Sequence, residues 1–229
     1  MRKILLAAVV SLVGNASFAQ DKNETIEGNG NVVTRDVAVS SFDALKASGL
    51  YELKLSQGST ESVKIEADEN LQDYFTVKKE GSKLVINTDK LKNKNSGKLK
   101  LKVYVTFKQL KTLELSTVGN VKSEEGLSFD DLKISTNSVG DLELKLTANK
   151  VSLNNQGVGN VTLSGKAQNA VFHHEGVGSL KAGDFAVQTV DIKNNGVGSA
   201  EVNAEKELKA EDSFTGKIKN RGAALMKNL

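Results

Sequence analysis

The chain has 229 residues and contains no cysteine, no proline and no tryptophan. The absence of cysteine excludes a disulfide framework, and it also excludes the lipid-bearing cysteine of a bacterial lipoprotein. Stability must therefore come from packing. Because proline is absent while glycine occurs 20 times, we expect turns built on glycine and asparagine. With no tryptophan and only three tyrosines, aromatic stacking on sugars has little support, which weakens a lectin interpretation.

Long apolar runs are missing except near the start of the chain. There, Arg2 and Lys3 precede an apolar stretch at residues 4–13, and small residues follow around Ala19. This pattern predicts a secretory signal peptide at residues 1–19, followed by a flexible segment at 20–27. The apolar stretch is too short to span a bilayer, so no transmembrane segment is expected in the mature chain. We therefore expect an exported protein, located in the periplasm, at the cell surface or outside the cell.

The charge is nearly balanced. The formal net charge of +3 falls to about +1 when Arg2 and Lys3 leave with the signal peptide, which argues against a nucleic-acid partner.

A valine-glycine pair recurs every 19 to 21 residues in the C-terminal half. The pairs are Val118-Gly119, Val139-Gly140, Val158-Gly159, Val177-Gly178 and Val197-Gly198. Apolar residues recur five positions before and three positions after each valine, and they alternate with polar residues, which is the period of a strand. One unit of about 20 residues cannot bury a core alone. We therefore predict an all-β fold, a right-handed parallel β-helix of stacked rungs with a less regular N-terminal half.

Two columns of the repeat are interpreted as structural. The glycines Gly119, Gly140, Gly159, Gly178 and Gly198 mark a corner that needs a positive φ, which glycine adopts without strain. Three positions before each valine stand Leu115, Thr136, Asn155, His174 and Asn194. Stacked amides in this column are expected to bond from rung to rung. In the N-terminal half, Asp68 is predicted to cap a single helical turn.

Several segments together resemble a known family. These are Gly28-Asn29-Gly30-Asn31-Val32, Phe42-Asp43 leading to Ala47-Ser48-Gly49, the stretch 63–71, and the Gly-Val-Gly repeats. They look like the head GIN domain family of putative auto-transporter adhesins. The resemblance implies a secreted β-helical domain over residues 28–222, of the kind found in Bacteroidetes envelopes, with a C-terminal tail at 223–229. The family's biochemical role is largely undefined, so the resemblance implies fold and compartment more than function.

The sharpest electrostatic feature is a strip of lysines. Lys98, Lys100 and Lys102 alternate with apolar residues and should therefore share one face of a strand. Such a strip could hold an anionic glycan or a lipid headgroup. It could equally keep an exposed strand from pairing with other chains.

Other candidate sites have plainer interpretations. His173 and His174 are adjacent on a predicted strand and should point to opposite faces, so they are not expected to share a metal. The column after each glycine contains one carboxylate, Asp141, which is too few for calcium. The acidic pairs Glu124-Glu125 and Asp130-Asp131 are interpreted as solvated faces or turns. No cofactor and no catalytic residue are predicted.

The leading hypothesis is a non-enzymatic envelope or cell-surface β-solenoid that binds a glycan or a protein in the manner of an adhesin. One alternative is a β-helical enzyme acting on a polysaccharide, which a groove with two carboxylates about 5–10 Å apart would favour. Another is a periplasmic scaffold without a small ligand. The oligomeric state stays open, and the polar stretch at 203–211 with the basic tail at 217–229 is expected to cap the end of the solenoid.

Overall fold

The computed structural model describes residues 25–92, 95–96, 99–213 and 216–228. The predicted signal peptide and Lys98 lie outside these ranges. Most of the described chain is strand, and the strands stack in parallel as a β-solenoid of about six turns. This confirms the predicted fold class. Within the same ranges, no helix is both long enough and apolar enough to cross a bilayer.

The N-terminal half combines short strands with two 3-10 helices, Glu69–Tyr74 and Asp89–Leu91. Its strands are β1 (Thr25–Ile26), β2 (Val32–Val37), β3 (Ala44–Leu50), β4 (Glu52–Gln57), β5 (Ser62–Asp68), β6 (Thr76–Glu80), β7 (Lys83–Asn87), β8 (Asn95–Ser96) and β9 (Lys102–Phe107). Parallel pairs β3–β7 and β4–β9 begin the solenoid. Antiparallel pairs β2–β5, β5–β9 and β6–β7 lie beside them, and this mixture makes the half irregular, as predicted.

Two details of the N-terminal half differ from the sequence-based expectations. Asp68 precedes the first 3-10 helix but makes no side-chain capping bond, so the predicted cap is wrong. Its Oδ1 instead accepts a hydrogen bond from the Gly30 amide at 2.7 Å, which ties the chain before β2 to the end of β5. Thr25 and Ile26 belong to the stretch expected to be flexible, yet they pair with β8, and Ile26 is buried.

The C-terminal half carries the repeats on long strands. They are β10 (Thr112–Val118), β11 (Val121–Ser123), β12 (Leu127–Thr136), β13 (Leu142–Asn155), β14 (Val161–His174), β15 (Leu180–Asn194), β16 (Gly198–Asp212), β17 (Gly216–Asn220) and β18 (Met226–Asn228). Each strand from β12 to β16 pairs in parallel with the next, so one rung lies directly on another. Strand β10 pairs with both β3 and β12 and joins the two halves.

Each full rung turns at two corners. At the first, the valine-glycine pair links neighbouring rungs through isolated parallel bridges between the valines. At the second, inside the long strands, the alternation of buried and exposed residues breaks because two successive residues are exposed. Examples are Asp130-Asp131, Asn149-Lys150 and Gln168-Asn169. Between the corners, inward side chains of successive rungs form one continuous core.

The tail folds back on the last rung. Strands β17 and β18 both pair with β16. Asn220 Oδ1 accepts a hydrogen bond from the Ala204 amide at 2.8 Å, and its Nδ2 donates to the Ala224 carbonyl at 2.8 Å. Arg221 Nε lies 2.8 Å from Glu201 Oε1. The tail therefore adds two short strands to the last rung, and its role as a cap of the solenoid stays a prediction.

Candidate functional site

The glycine corner is a structural device. All five repeat glycines have φ between 132° and 142°, a region that L side chains rarely adopt. The corner also has no room for a side chain, because a Cβ on Gly159 would lie 2.2 Å from the Gly140 carbonyl oxygen. Close stacking of backbone on backbone therefore requires glycine at each step of the column.

The column three positions before the valines is buried inside this corner. Asn155, His174 and Asn194 are each at most 2% exposed. Asn155 Nδ2 lies 2.8 Å from His174 Nδ1, which confirms the expected bond along the ladder for this pair. An amide NH₂ can only donate, so Nδ1 accepts and the proton of His174 sits on Nε2, 3.1 Å from the Gly178 carbonyl. His173 is exposed on the opposite face, so the two histidines do not converge.

The column after each glycine also serves the backbone. Asn120 Oδ1 accepts from the Asp141 amide at 3.0 Å, and Asp141 Oδ1 accepts from the Asn160 amide at 2.8 Å. Asn160 Oδ1 continues the pattern to the Ser179 amide at 3.2 Å. These oxygens hold the rungs together. Across the described ranges, no group of three or more histidine, aspartate or glutamate side chains is placed to hold a metal ion.

The repeat valines form an exposed ridge along the first corner. Val118, Val139, Val158, Val177 and Val197 are 49–59% exposed, although their neighbours five positions earlier and three positions later are buried. Isolated large apolar residues at a surface are ordinary, but five in line form a continuous apolar edge. The repeat pattern alone could not distinguish this valine column from the buried ones.

The lysine strip is partly neutralised in the structure. Lys102 Nζ lies 2.7 Å from Glu66 Oε1, and Tyr104 donates to Glu66 Oε2 at 2.9 Å. Hydrogen bonds from Lys102 and then Tyr104 lower the pKa of Glu66 below its usual value. Lys100 is exposed just before β9. An anionic ligand on this strip stays a prediction, and such a ligand would have to compete with Glu66 for Lys102.

A depression lies where the two halves meet. We name it the Phe129 groove, and its volume is about 620 Å³. Its lining residues are Gln57, Lys108, Gln109, Leu110, Lys111, Ser128, Phe129, Asp130, Asp131, Leu132, Lys133, Lys150 and Ser152. This volume lies within the range of small-molecule sites, about 300–1,000 Å³.

A side chain from the N-terminal half links the two walls of the Phe129 groove. Gln57 Nε2 donates to the carbonyls of Lys108 at 3.0 Å and Ser128 at 2.9 Å, and its Oε1 accepts from the Ser128 amide at 2.8 Å. Gln57 thereby fixes both walls of the groove. Phe129 stacks on the fully buried Phe107, with ring centroids 5.8 Å apart. Because Phe129 is itself only partly buried, it presents apolar ring surface to the groove.

Charges of both signs surround this ring. Lys111 pairs with Asp43 at 3.0 Å, and hydrogen bonds from Ser82 and Lys111 lower the pKa of Asp43. Lys133 and Lys150 are exposed, as are Asp130 and Asp131. The groove therefore offers donors and acceptors in similar numbers around an apolar surface.

The groove continues along the second corner of the solenoid. An adjoining depression of about 420 Å³ shares Ser128, Phe129 and Asp130 with it. One column of polar side chains runs across both depressions, and we name it the corner column. It consists of the residues nine positions before each ridge valine: Gln109, Asp130, Asn149, Gln168 and Gln188. Each rung thus contributes one amide or carboxylate to a single linear cleft.

This site was not predicted from the sequence. Asp130-Asp131 was interpreted only as a solvated face or turn. The usable signal was a pair of polar residues that interrupts the strand alternation at the same position in successive repeats. Even so, the N-terminal wall at Gln57 and Lys108 could not have been assigned, because it comes from outside the repeats.

Comparison with known proteins identifies the family of the chain. The profile of the family described as putative auto-transporter adhesin, head GIN domain, matches residues 41–224. The chain belongs to this family. The head GIN match begins within the predicted domain at 28–222 and extends two residues beyond it. No curated protein matches the chain.

Several solved structures share the head GIN fold. A putative adhesin from Bacteroides fragilis is 27% identical with a TM-score of 0.75, covering 89% of this chain and 100% of its own. A putative adhesin from Parabacteroides distasonis is 21% identical with a TM-score of 0.68, covering 90% and 96%. A putative lipid binding protein from the same organism is 19% identical with a TM-score of 0.60, covering 90% and 100%. The last two support the fold alone.

Proposed function

We propose that this head GIN protein is an exported, non-enzymatic, adhesin-like protein that binds a glycan or a protein at the cell surface. Membership of the family and the likeness to the Bacteroides fragilis structure support an adhesin-like role. The signal-peptide pattern at residues 1–19 supports export. In this proposal the solenoid is a rigid support and its surface carries the binding site.

The observation that carries the proposal is the Phe129 groove. It combines an apolar ring surface with exposed ammonium, carboxylate and amide groups, and this combination is typical of ligand sites. Gln57 and Phe107 fix its walls and floor from the buried side, so the groove is organised before any ligand binds.

One specific observation favours a second candidate. Asp130 and Asp131 place two carboxylates in the groove, which is the feature expected of a β-helical polysaccharide-active enzyme. Both side chains are exposed, however, whereas the acid of a glycosidase is usually enclosed by its surroundings. Incubating the protein with neutral and acidic polysaccharides and measuring new reducing ends tests this candidate. Turnover that disappears in the Asp130→Asn/Asp131→Asn variant would replace the binding proposal with an enzymatic one.

Binding itself can be tested with the chain lacking residues 1–19, immobilised on beads. The beads are presented to an array of bacterial and host glycans, to mucin, and to extracellular-matrix proteins. We expect retention on at least one surface, and at least fivefold lower retention for Lys133→Ala/Lys150→Ala, because both lysines line the groove.

A matched control removes the same charge elsewhere. Lys145 and Lys181 are exposed and lie outside the groove, so Lys145→Ala/Lys181→Ala should bind like the unaltered protein. Equal losses in both variants would mean non-specific electrostatic attraction. Absence of retention on every surface would contradict the adhesin-like proposal.

A further inference from the structure

The corner column has no structural task in the described part of the chain. Unlike the column after each glycine, none of its side chains has a hydrogen bond or ion pair with another described residue. Gln109, Asp130, Asn149 and Gln168 are exposed, and Gln188 is half-buried. Their polar groups therefore point outward and are available to a ligand.

The column is straight and continuous because the rungs are in register. Asp131 pairs with Lys150 and Lys150 pairs with Asn169, which sets the neighbouring corner residues one above another. With adjacent strands about 4.8 Å apart, five rungs place the first and last members about 19 Å apart. The two depressions along the column share Phe129, so the aromatic ring lies within this line.

We propose that this cleft binds a neutral, linear oligosaccharide lying along the solenoid axis. The inference rests on the proposed adhesin-like function and names its ligand class. Amide side chains both donate and accept hydrogen bonds, as sugar hydroxyls do. Asp130 and Asp131 accept from hydroxyls, while the Phe129 ring offers an apolar surface to the C–H face of a sugar ring. A repeating ligand thus meets a repeating row of partners.

Two observations favour a neutral saccharide over other ligands. An extended peptide would seek an unpaired strand edge, but β13 and β14 are each paired on both sides. Strand β12 pairs with β10 only from Lys133 to Thr136, and where it lines the groove its Ser128 amide and carbonyl are already bonded to Gln57. An acidic saccharide would meet the carboxylates of Asp130 and Asp131, which would oppose its charge. Lys108 and Lys111 already pair with Glu61 and Asp43, so only Lys133 and Lys150 among the lining lysines could offset this repulsion. The acidic probe in the titration below tests whether they do.

The test is an NMR titration of the chain lacking residues 1–19. The probes are cellotetraose, mannotetraose, tetragalacturonate and a tetra-alanine peptide. We expect saturable shifts with at least one neutral tetrasaccharide, and weaker or no shifts with the acidic saccharide and the peptide. Asn149→Ala/Gln168→Ala should weaken binding of the neutral saccharide about tenfold, since each substitution removes a hydrogen-bonding amide. Phe129→Leu keeps apolar packing on Phe107 but removes the flat ring, and it should weaken binding further.

The matched control changes the same strands on another face. Asn154 and His173 are exposed partners on β13 and β14, away from the cleft. Asn154→Ala/His173→Ala should leave the affinity unchanged. Tightest binding by tetragalacturonate or by the peptide, an equal effect of the two double variants, or no binding of either neutral saccharide would each overturn the inference. The bead assay decides the adhesin-like function separately, because a protein partner would still be retained there.

Discussion

The two halves of the molecule are specified in different ways. In the repeats, one set of positions recurs on every rung: a glycine at positive φ, inward apolar residues and a buried polar column. The N-terminal half instead depends on single contacts, such as Gln72 Nε2 donating to the Val33 carbonyl at 3.0 Å, or Tyr51 donating to the Ile86 carbonyl at 3.0 Å. Periodicity can therefore be recognised from sequence in one half only.

The largest expected effect is at the glycine corner. Gly159→Ala should cost about 3 kcal/mol or more in unfolding free energy, because the new Cβ combines a strained φ with a backbone clash. Urea unfolding followed by circular dichroism measures this cost. Gly126 is the control, since a Cβ there meets nothing within 4 Å and its φ is not in the strained region. Equal stability of the two variants would contradict the structural interpretation of the column.

A smaller effect is expected in the N-terminal half. Gln72 is buried, and its amide also lies 3.3 Å from the Ile65 carbonyl. Gln72→Met should lower the free energy of unfolding by about 1–3 kcal/mol, because buried carbonyls lose a hydrogen-bond donor. Hydrogen exchange should rise in residues 25–92 while β13 to β15 stay protected. Equally faster exchange in both regions would show that the two halves unfold as one unit, and it would contradict the distinction drawn between them.

The Glu66–Lys102 ion pair should contribute about 1 kcal/mol or less to the free energy of unfolding, because both side chains are partly exposed. The pKa of Glu66 is lowered in the folded state, so its contribution is complete above the unfolded pKa and is lost as pH falls through the folded pKa. Glu66→Gln should therefore destabilise the protein at pH 7, and the difference from the unaltered protein should shrink as pH falls below the ordinary pKa of glutamate. A penalty that is independent of pH would rule out the ionic explanation.

The smallest effect is expected on the ridge. Val158→Thr keeps the branched side chain at a position that is 50% exposed, so its unfolding free energy should change by about 0.5 kcal/mol or less. Val151 provides the contrast, because it is fully buried and a threonine there places a hydroxyl in the core. A large loss from Val158→Thr in thermal unfolding would show that the ridge stabilises the rungs.

Much of the repeat half could be predicted from the sequence. The valine-glycine spacing indicated the stacked rungs, the glycine corner and the bond between Asn155 and His174. The exposure of the valines could not be predicted, since burial at a corner depends on the direction of each side chain. The Phe129 groove was missed because Gln57 and Ser128 are 71 residues apart and meet only after the halves pack together. For the same reason, the partner of Lys102 could not be assigned before Glu66 was placed beside it.

The most direct test of the adhesin-like role is protease shaving of intact cells that express a copy with an epitope tag after residue 229. A periplasmic marker protein reports whether the outer membrane stays closed. We expect the tag to be lost while the marker survives, because a protein that binds external partners must be exposed outside the cell. Protection of the tag until the outer membrane is broken would contradict the adhesin-like role and favour a periplasmic scaffold.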